Sequence, residues 1–228
     1  MFKKLFMLFK IGRKLSTSGA ISSIYEIYNP PLIIKILFLI IGFDFGNKKV
    51  DENLSAGTKL CNALQGMGTT FIKLGQFLAT RPDIIGKDIA KELEKLQDKL
   101  PAFGLEEAKK ILKHELGNES YSKIMDLSEP IAAASIAQVH FAKIESTNEN
   151  EEVAIKILRP NIEKIFNDEL DALMLLAYII ENLIQKTKRL KLIEVVQLLR
   201  EITNVEMDLR FEAAAANEFL ENTKNDFG

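Results

Sequence analysis

The stretch Pro130–Lys156, PIAAASIAQVHFAKIESTNENEEVAIK, decides the fold of this chain. Two runs containing β-branched residues, Ile136–Ile144 and Glu152–Leu158, flank the polar segment Glu145–Glu151. Such runs around a polar turn predict a β-hairpin. A further short run, Ile124–Leu127, precedes the alanine-rich segment. The sequence therefore predicts three strands in this part of the chain.

Helical patterns surround these strands on both sides, because apolar residues recur at helical spacing. Before the strands, the pattern predicts one or two helices in residues 1–28, a break at Asn29–Pro31, a helix to Ile41, a loop to Asn53, and helices at Leu54–Thr80, Lys87–Lys99 and Leu105–Leu116, the last capped by Gly117. After the strands, it predicts long helices at Phe166–Gln185 and Leu192–Asn222. The prediction is an α+β fold, with a helical extension over residues 1–120 and a strand-containing domain over residues 121–228.

The alanine-rich loop and the last predicted strand form a pattern typical of nucleotide-binding kinase lobes. In protein kinases, a Gly-rich loop between the first two strands covers the ATP phosphates, and the lysine of a third-strand Val-Ala-Ile-Lys pairs with them. Here small residues occupy Ala132–Ser135, and Val153–Lys156 reads Val-Ala-Ile-Lys. Small residues let the backbone approach phosphates closely, and a lysine ammonium offsets their charge.

Five motifs in order extend this pattern along the chain. They are Lys73-x-Gly75-Gln76, the Ala132–Ser135 loop, its continuation Ile136–His140, Val153–Lys156 with Arg159-Pro160, and Glu206-x-Asp208 followed by Glu212. Together they resemble the UbiB family, the atypical, ADCK-like kinases of ubiquinone biosynthesis. The resemblance covers residues 10–225, nearly the whole sequence.

The resemblance implies a kinase-like N-lobe of three strands and a helix C, preceded by an extension that packs over the active site. It implies ATP and Mg²⁺ as cofactors. The residues that would cover the nucleotide are Ile131, Ala132, Ala133, Ala134, Ser135, Ile136, Ala137, Gln138 and Val139. Lys156 would hold the ATP phosphates, and Lys73, Gly75 and Gln76 would reach the site from the extension.

Helical spacing separates the roles of the carboxylates. On a regular helix, Lys73 and Gln76 share one face. Asp208 and Glu212 also share a face, whereas Glu206 points away from Asp208. Glu206 and Glu212 therefore cannot both face Lys156. We assign Glu212 as its helix-C partner, and Glu206 and Asp208 to the Lys73 motif and to metal or phosphate organisation. The alternative is that all three carboxylates are solvated or cap helices.

The catalytic half of a kinase is not found in this sequence. A kinase needs a catalytic-loop Asp, an Asn and the Asp of Asp-Phe-Gly. Asp226-Phe227-Gly228 resembles the last motif, but it follows the predicted helix Leu192–Asn222, which carries the helix-C residue Glu212, by only a few residues. With the C-lobe absent, we expect no metal ligands and weak or no ATP turnover by this polypeptide alone. A fragment, a split or decaying gene, and a separate C-terminal half remain open.

Charge distribution bears on partners and location. The net charge of −2 is not that of a general nucleic-acid-binding protein, so we expect no nucleic acid partner. Residues 1–40 hold six basic residues against Glu26, which gives +5. The apolar run Leu32–Phe43 is too short to span a bilayer. We expect a peripheral protein at the cytoplasmic face of the inner membrane, without a transmembrane helix here, that contacts quinone-pathway lipids or proteins.

Two other functions compete with this prediction. The chain could be a non-catalytic helical module that binds a membrane or a partner. A role in ring hydroxylation of the quinone precursor is the second, but the sequence has no flavin-binding Gly-x-Gly-x-x-Gly and no cluster of metal ligands. Single residues such as Cys61, His114 and His140 have no placed catalytic partners and are interpreted as structural.

Overall fold

The computed structural model describes residues 2–18, 32, 35–36, 54–96, 100–146 and 150–224. Four segments discussed above lie outside these residues. They are the predicted break at Asn29–Pro31, most of the helix that follows it, the loop before Leu54, and Asp226–Gly228. The described helices are α1 (Phe2–Thr17), α2 (Ala56–Met67), α3 (Thr69–Ala79), α4 (Pro82–Ile85), α5 (Lys87–Leu93), α6 (Leu105–Ser122), α7 (Ile162–Leu183), α8 (Leu192–Met207) and α9 (Leu209–Thr223). A 3₁₀-helix, Gln185–Leu190, joins α7 to α8.

The main core lies between helices, with α7 packed against α1, α3 and α8. Phe166, Leu170, Leu173 and Ala177 recur at helical spacing along α7 and are buried. Burial of such a stripe is the main driving force for packing an amphipathic helix. The core therefore joins helices from both sides of the strand region. The predicted domain boundary near residue 120 stays a prediction.

Two helices that the sequence predicts as continuous are broken in the structure. Gly68, at a φ of 106°, separates α2 from α3 within Leu54–Thr80. That backbone angle is easy for glycine and unfavourable for other residues. Asp208 separates α8 from α9, and its side chain accepts a hydrogen bond from the Arg210 N–H at 3.1 Å. This is the behaviour of an N-cap, which begins a new helix.

Other boundaries shift less. Helix α6 continues past the predicted end at Leu116 to Ser122, with a kink at Gly117, where φ is 75°. Helix α5 ends at Leu93, whereas the sequence predicted a helix to Lys99; residues 97–99 lie outside the described part. Helix α7 begins at Ile162, before the predicted Phe166. Among the described helices, none combines the length and apolar character needed to cross a membrane.

The sheet is antiparallel and has four strands rather than the predicted three. They are β1 (Ile124–Met125), β2 (Pro130–Ala133), β3 (Ala137–Ile144) and β4 (Glu151–Leu158). Strand β4 pairs with the whole of β3, so β1 and β2 follow one another along its other edge. The added strand is β2, because Ile131–Ala133, predicted as loop, pairs with β3. In the described part of the chain, β4 has no second neighbour.

Helix α6 covers one face of this sheet. Ile155 and Ile157 pack with Ala108 and Leu112 of α6 into a small second core. Because side chains alternate along a strand, Ala154 and Lys156 point to the opposite face. We call that opposite side of the sheet the open face.

Candidate functional site

The open face brings the alanine-rich strand and the β4 lysine into one row. Ala132 of β2 is paired with Val139 of β3, and Val139 is paired with Lys156 of β4. Directly paired residues of antiparallel strands place their side chains on the same face. Phe141 and Ala154 form the adjacent row, and the Phe141 side chain is 57% exposed. The result is an apolar surface with Lys156 at one edge and Lys143, which is paired in register with Glu152, at the other.

Lys156 makes an ion pair with Glu212 across the open face. Its Nζ lies 2.5 Å from Oε2 of Glu212, on the first turn of α9. The two side chains are 35% and 61% exposed. An ion pair this exposed contributes only about 0–1 kcal/mol of stability. The pair therefore sets the orientation of Lys156 more than it stabilises the fold, and the structure brings together the two residues that the sequence paired.

Lys73 makes a second, more buried ion pair with Glu206. Nζ of Lys73, on α3, lies 2.9 Å from Oε2 of Glu206, on α8. The Lys73 side chain is only 13% exposed, and Oε2 of Glu206 is buried. A buried carboxylate oxygen requires a compensating positive charge, which Lys73 supplies. Glu206 thus belongs with the Lys73 motif, as the sequence analysis assigned it.

Asp208 occupies neither ion pair. Its carboxylate accepts hydrogen bonds from Nε and Nη2 of Arg210 at 2.7 and 2.6 Å. The Arg210 side chain lowers the pKa of Asp208 below its ordinary value, and the Asp208 carboxylate raises the pKa of Arg210. Asp208 is thus a capping carboxylate, one of the alternatives that the sequence left open. Its assignment to the Lys73 motif and to metal or phosphate organisation stays a prediction.

Gly75 is required by packing of side chains rather than by approach of another backbone. A Cβ atom on Gly75 would lie 2.2 Å from Cδ1 of Leu96 and 3.0 Å from Cδ1 of Leu64. Both leucines are buried. Gln76 is half-buried on the same helix. Gly75 thus lets α3 pack against Leu64 of α2 and against Leu96, which follows α5. In this position Lys73 of α3 points toward α8.

Only part of the alanine-rich segment is accessible. Ile131 and Ala132 are exposed, and Ala133 and Ala134 are half-buried. Ser135, Ile136, Ala137 and Gln138 are buried. The predicted cover of the nucleotide thus includes four residues that the structure places inside the protein.

Gln138 has a different task from the one predicted. Its Oε1 accepts from the Phe103 N–H at 2.9 Å, and its Nε2 donates to the Phe103 carbonyl at 3.1 Å. Nε2 also lies 2.9 Å from Nε2 of His140, whose Nδ1 is 2.8 Å from the Ser128 carbonyl. These contacts satisfy buried polar groups, which is the usual role of such a network. Gln138 and His140 therefore have a structural role in this network.

The carboxylates near the site do not fit Mg²⁺. Glu212, Glu206 and Asp208 are each paired with a cationic side chain. The described residues contain no group of three or more His, Cys, Asp or Glu that could hold a metal. A site for Mg²⁺ requires several free oxygen ligands. We derive no step through Mg²⁺ from these residues.

Sequence reasoning missed four residues at the site. Ala154 and Phe141 lie on the open face, and strand alternation from Lys156 and Val139 could have found them. Thr69 lies four residues before Lys73 on the same helix face. Its Oγ1 donates to the Ser135 carbonyl at 3.1 Å. Arg159 was named only as part of a motif. The sequence gives no signal that its guanidinium contacts both Ala134 and residues 100–101.

Comparison with known proteins agrees with this geometry. The family model described as ABC1 atypical kinase-like domain matches residues 95–227, more than half of the chain. A "Probable protein kinase UbiB" from Marinobacter nauticus is 36% identical over 196 residues, covering 86% of this chain and 35% of the relative. One from Pseudomonas paraeruginosa is 40% identical over 170 residues (74% and 31%), and one from Aeromonas salmonicida is 32% identical over 222 residues (97% and 39%).

These matches confirm the predicted resemblance to UbiB proteins. The chain spans about a third of the length of these curated relatives. The family match includes the sheet, the Lys156–Glu212 pair and Glu206, while Lys73 lies before it. The chain belongs to the family of ABC1 atypical kinase-like domains.

Proposed function

We propose that this chain provides the ATP-binding N-lobe part of a UbiB-type atypical kinase that supports ubiquinone biosynthesis. The observation that carries the proposal is the Lys156–Glu212 ion pair beside the Ala132–Val139 row on the open face. An apolar surface with Lys156 at its edge suits a purine with attached phosphates. Ala132, Val139 and Ala154 would contact the base or ribose, and Lys156 would bind the phosphates.

The proposed activity of these residues is nucleotide binding rather than phosphoryl transfer. ATP supplies the phosphoryl group when bound, and Lys156 orients it. The catalytic loop and the Mg²⁺ ligands of such a kinase would come from polypeptide outside residues 1–228, either continuous with this chain or separate. Lys73, held by Glu206, would approach the same site from the helical extension.

Binding of a fluorescent ATP analogue to the purified chain tests this proposal. We expect Lys156→Met to weaken binding on the order of tenfold or more, because a charge-assisted contact to phosphate is lost. Lys143→Met is the matched control, since Lys143 lies on the open face of β3 four residues beyond Val139. Unchanged affinity in Lys156→Met, or equal losses in both variants, contradicts the proposal.

We further propose peripheral attachment at the cytoplasmic face of the inner membrane, through the outer side of α1. Leu8 and Ile11 of α1 are buried, whereas Leu5, Phe6 and Phe9 are exposed. Lys10 and Arg13 are exposed on the same outer side. Apolar and basic side chains together on one helix face favour an anionic lipid surface. Quinone-pathway lipids or proteins at that surface would be the partners.

Vesicle co-sedimentation tests the membrane proposal. The chain should bind vesicles containing phosphatidylglycerol more strongly than pure phosphatidylcholine vesicles, and salt should weaken the binding. Phe6→Ser should reduce it. Phe219→Ser is the matched control, because Phe6 and Phe219 are 72% and 70% exposed on different helices. Equal effects of the two substitutions, or salt-insensitive binding, would exclude α1 as the lipid-binding surface.

A further inference from the structure

Arg159, directly after β4, joins three separate segments of the chain. Its Nε and Nη2 donate to the Ala134 carbonyl at 3.1 and 2.7 Å. Its Nη1 donates to the Pro101 carbonyl at 2.9 Å, and Nη2 also lies 3.3 Å from the Leu100 carbonyl. The planar guanidinium has five donors in a fixed arrangement, so one side chain can hold several acceptors at once.

The turn between β2 and β3 is held at three successive carbonyls. Ala134 is bound by the Arg159 guanidinium, Ser135 by Oγ1 of Thr69, and Ile136 by the Arg159 N–H at 2.8 Å. The Ala134 N–H closes the turn by donating to the Ala137 carbonyl at 2.8 Å. Every carbonyl of residues 134–136 therefore accepts from a group on another element of the protein.

The strand that this turn supports is weak by itself. Strand β2 has four residues, and its register with β3 shifts between Pro130 and Ala132. Few ladder hydrogen bonds are available to fix such a short and irregular edge strand. Ala132 nevertheless has to stay paired with Val139 to form the row that ends in Lys156. The contacts at residues 134–136 supply the missing restraint.

The direction of the carbonyls also matters for an anionic ligand. In a trans peptide, C=O and N–H point in opposite directions. The hydrogen bonds from Arg159 and Thr69 fix the directions of the Ala134 and Ser135 carbonyl oxygens. If these carbonyl oxygens could turn toward the bound nucleotide, they would repel its phosphate oxygens.

We propose that Arg159 is a positioning residue of the nucleotide site and acts through the turn at residues 134–136. Thr69, on α3, contributes to the same restraint. This inference rests on the proposed ATP-binding function. Arg159 touches no nucleotide. It holds β2 in register, so that Ala132 remains beside Val139 and Lys156. Thr69 connects the same turn to the helix that carries Lys73.

Two measurements on the purified chain test this role. In the ligand-free protein, Arg159→Lys should speed hydrogen–deuterium exchange in residues 130–137 about tenfold, the equivalent of one hydrogen bond. Lysine keeps the charge but cannot bind the Ala134 and Pro101 carbonyls together. Arg200→Lys is the matched control, since Arg200 binds Asp171 at 2.8 Å, between α8 and α7.

The second measurement compares ligands with and without phosphates. Arg159→Lys should weaken ATP and ADP about tenfold and leave adenosine affinity nearly unchanged, because the turn acts on the phosphate side. Thr69→Val should produce a smaller change in the same direction. Thr70→Val is its control, because the Thr70 hydroxyl is buried and has no hydrogen-bond partner among the described residues.

The outcomes separate this inference from the function on which it rests. A wild-type chain that binds no adenine nucleotide overturns the proposed function, and the role of Arg159 with it. A wild-type chain that binds ATP, with equal losses of ATP and adenosine in Arg159→Lys, overturns only the positioning role. Unchanged exchange in residues 130–137 overturns it as well. Faster exchange together with selective loss of ATP and ADP supports it.

Discussion

Gly75→Ala is the substitution whose effect on stability can be worked out most directly. The added Cβ would meet Cδ1 of Leu96 at 2.2 Å and Cδ1 of Leu64 at 3.0 Å. Carbon atoms in van der Waals contact lie about 3.5–4.0 Å apart, so the Leu96 methyl has to move by more than about 1 Å. Leu96 is 6% exposed and Leu64 is 4% exposed, so neither has open space to enter.

The magnitude follows from two opposing effects. Overpacking a core costs about 1–3 kcal/mol, and the severe overlap here places the cost at the upper end. Replacing glycine by alanine inside a helix returns about 1 kcal/mol. We therefore expect Gly75→Ala to lower the free energy of unfolding by about 2 kcal/mol. For a chain of this length, that lowers Tm by about 4–8 °C.

Gly66→Ala is the control, because Gly66 is an exposed residue of α2 whose added Cβ would meet no atom of the described residues within 4 Å, apart from its chain neighbours and its own helix backbone. It should raise the free energy of unfolding by up to about 1 kcal/mol. Thermal melts followed by circular dichroism measure both variants. A Gly75→Ala protein that melts at or above the wild-type temperature refutes the packing explanation of the motif glycine.

Three further substitutions test the polar contacts. Lys73→Met should destabilise the protein by about 1–3 kcal/mol, because it leaves a buried oxygen of the partly exposed Glu206 carboxylate without its cation. The loss should exceed that of Glu206→Gln in chemical denaturation, and a smaller loss would contradict this. Lys14→Met should lower the free energy of unfolding by about 1–2 kcal/mol, since Nζ of Lys14 donates to the Met67 carbonyl at 3.1 Å. Lys10→Met, on the exposed side of α1, should be nearly neutral in the same assay. The pKa of Asp208 is lowered in the folded state, so its charge stabilises at neutral pH and this contribution disappears as pH falls through the lowered value. Asp208→Asn keeps a capping side chain, so its melting temperature should fall below wild type at neutral pH and converge with it in acid; a constant difference would exclude the charge.

The sequence predicted best where local pattern and long-range structure agree. The Val-Ala-Ile-Lys pattern of Val153–Lys156 predicted a strand that carries Lys156, which is β4 in the structure, and the resemblance together with helical spacing paired Lys156 with Glu212. The breaks at Gly68 and Asp208 were missed because apolar periodicity continues across both positions. The break at Asp208 also removed the premise that Glu206 and Glu212 share one regular helix.

The remaining misses concern contacts between distant segments. Ile131–Ala133 was predicted as loop, because its small residues stand where a kinase has its Gly-rich loop, but pairing with β3 makes it a strand. Gln138 was predicted to face a nucleotide, because nothing in the sequence announces its partner Phe103. Lys14 was counted with the basic surface, yet it points inward and also lies 3.8 Å from Glu169. Such contacts depend on tertiary packing, which overrides local preference.

Helix α9 has a consequence for experiments on the isolated chain. It is 15 residues long, and none of them is buried by the described part of the protein. A helix of that length without tertiary support is only marginally stable in water. Its folded fraction therefore depends on one capping carboxylate and one ion pair. The helix content of α9, measured by spectroscopy, should therefore respond to any molecule that binds to this helix, even when the identity of that molecule is unknown.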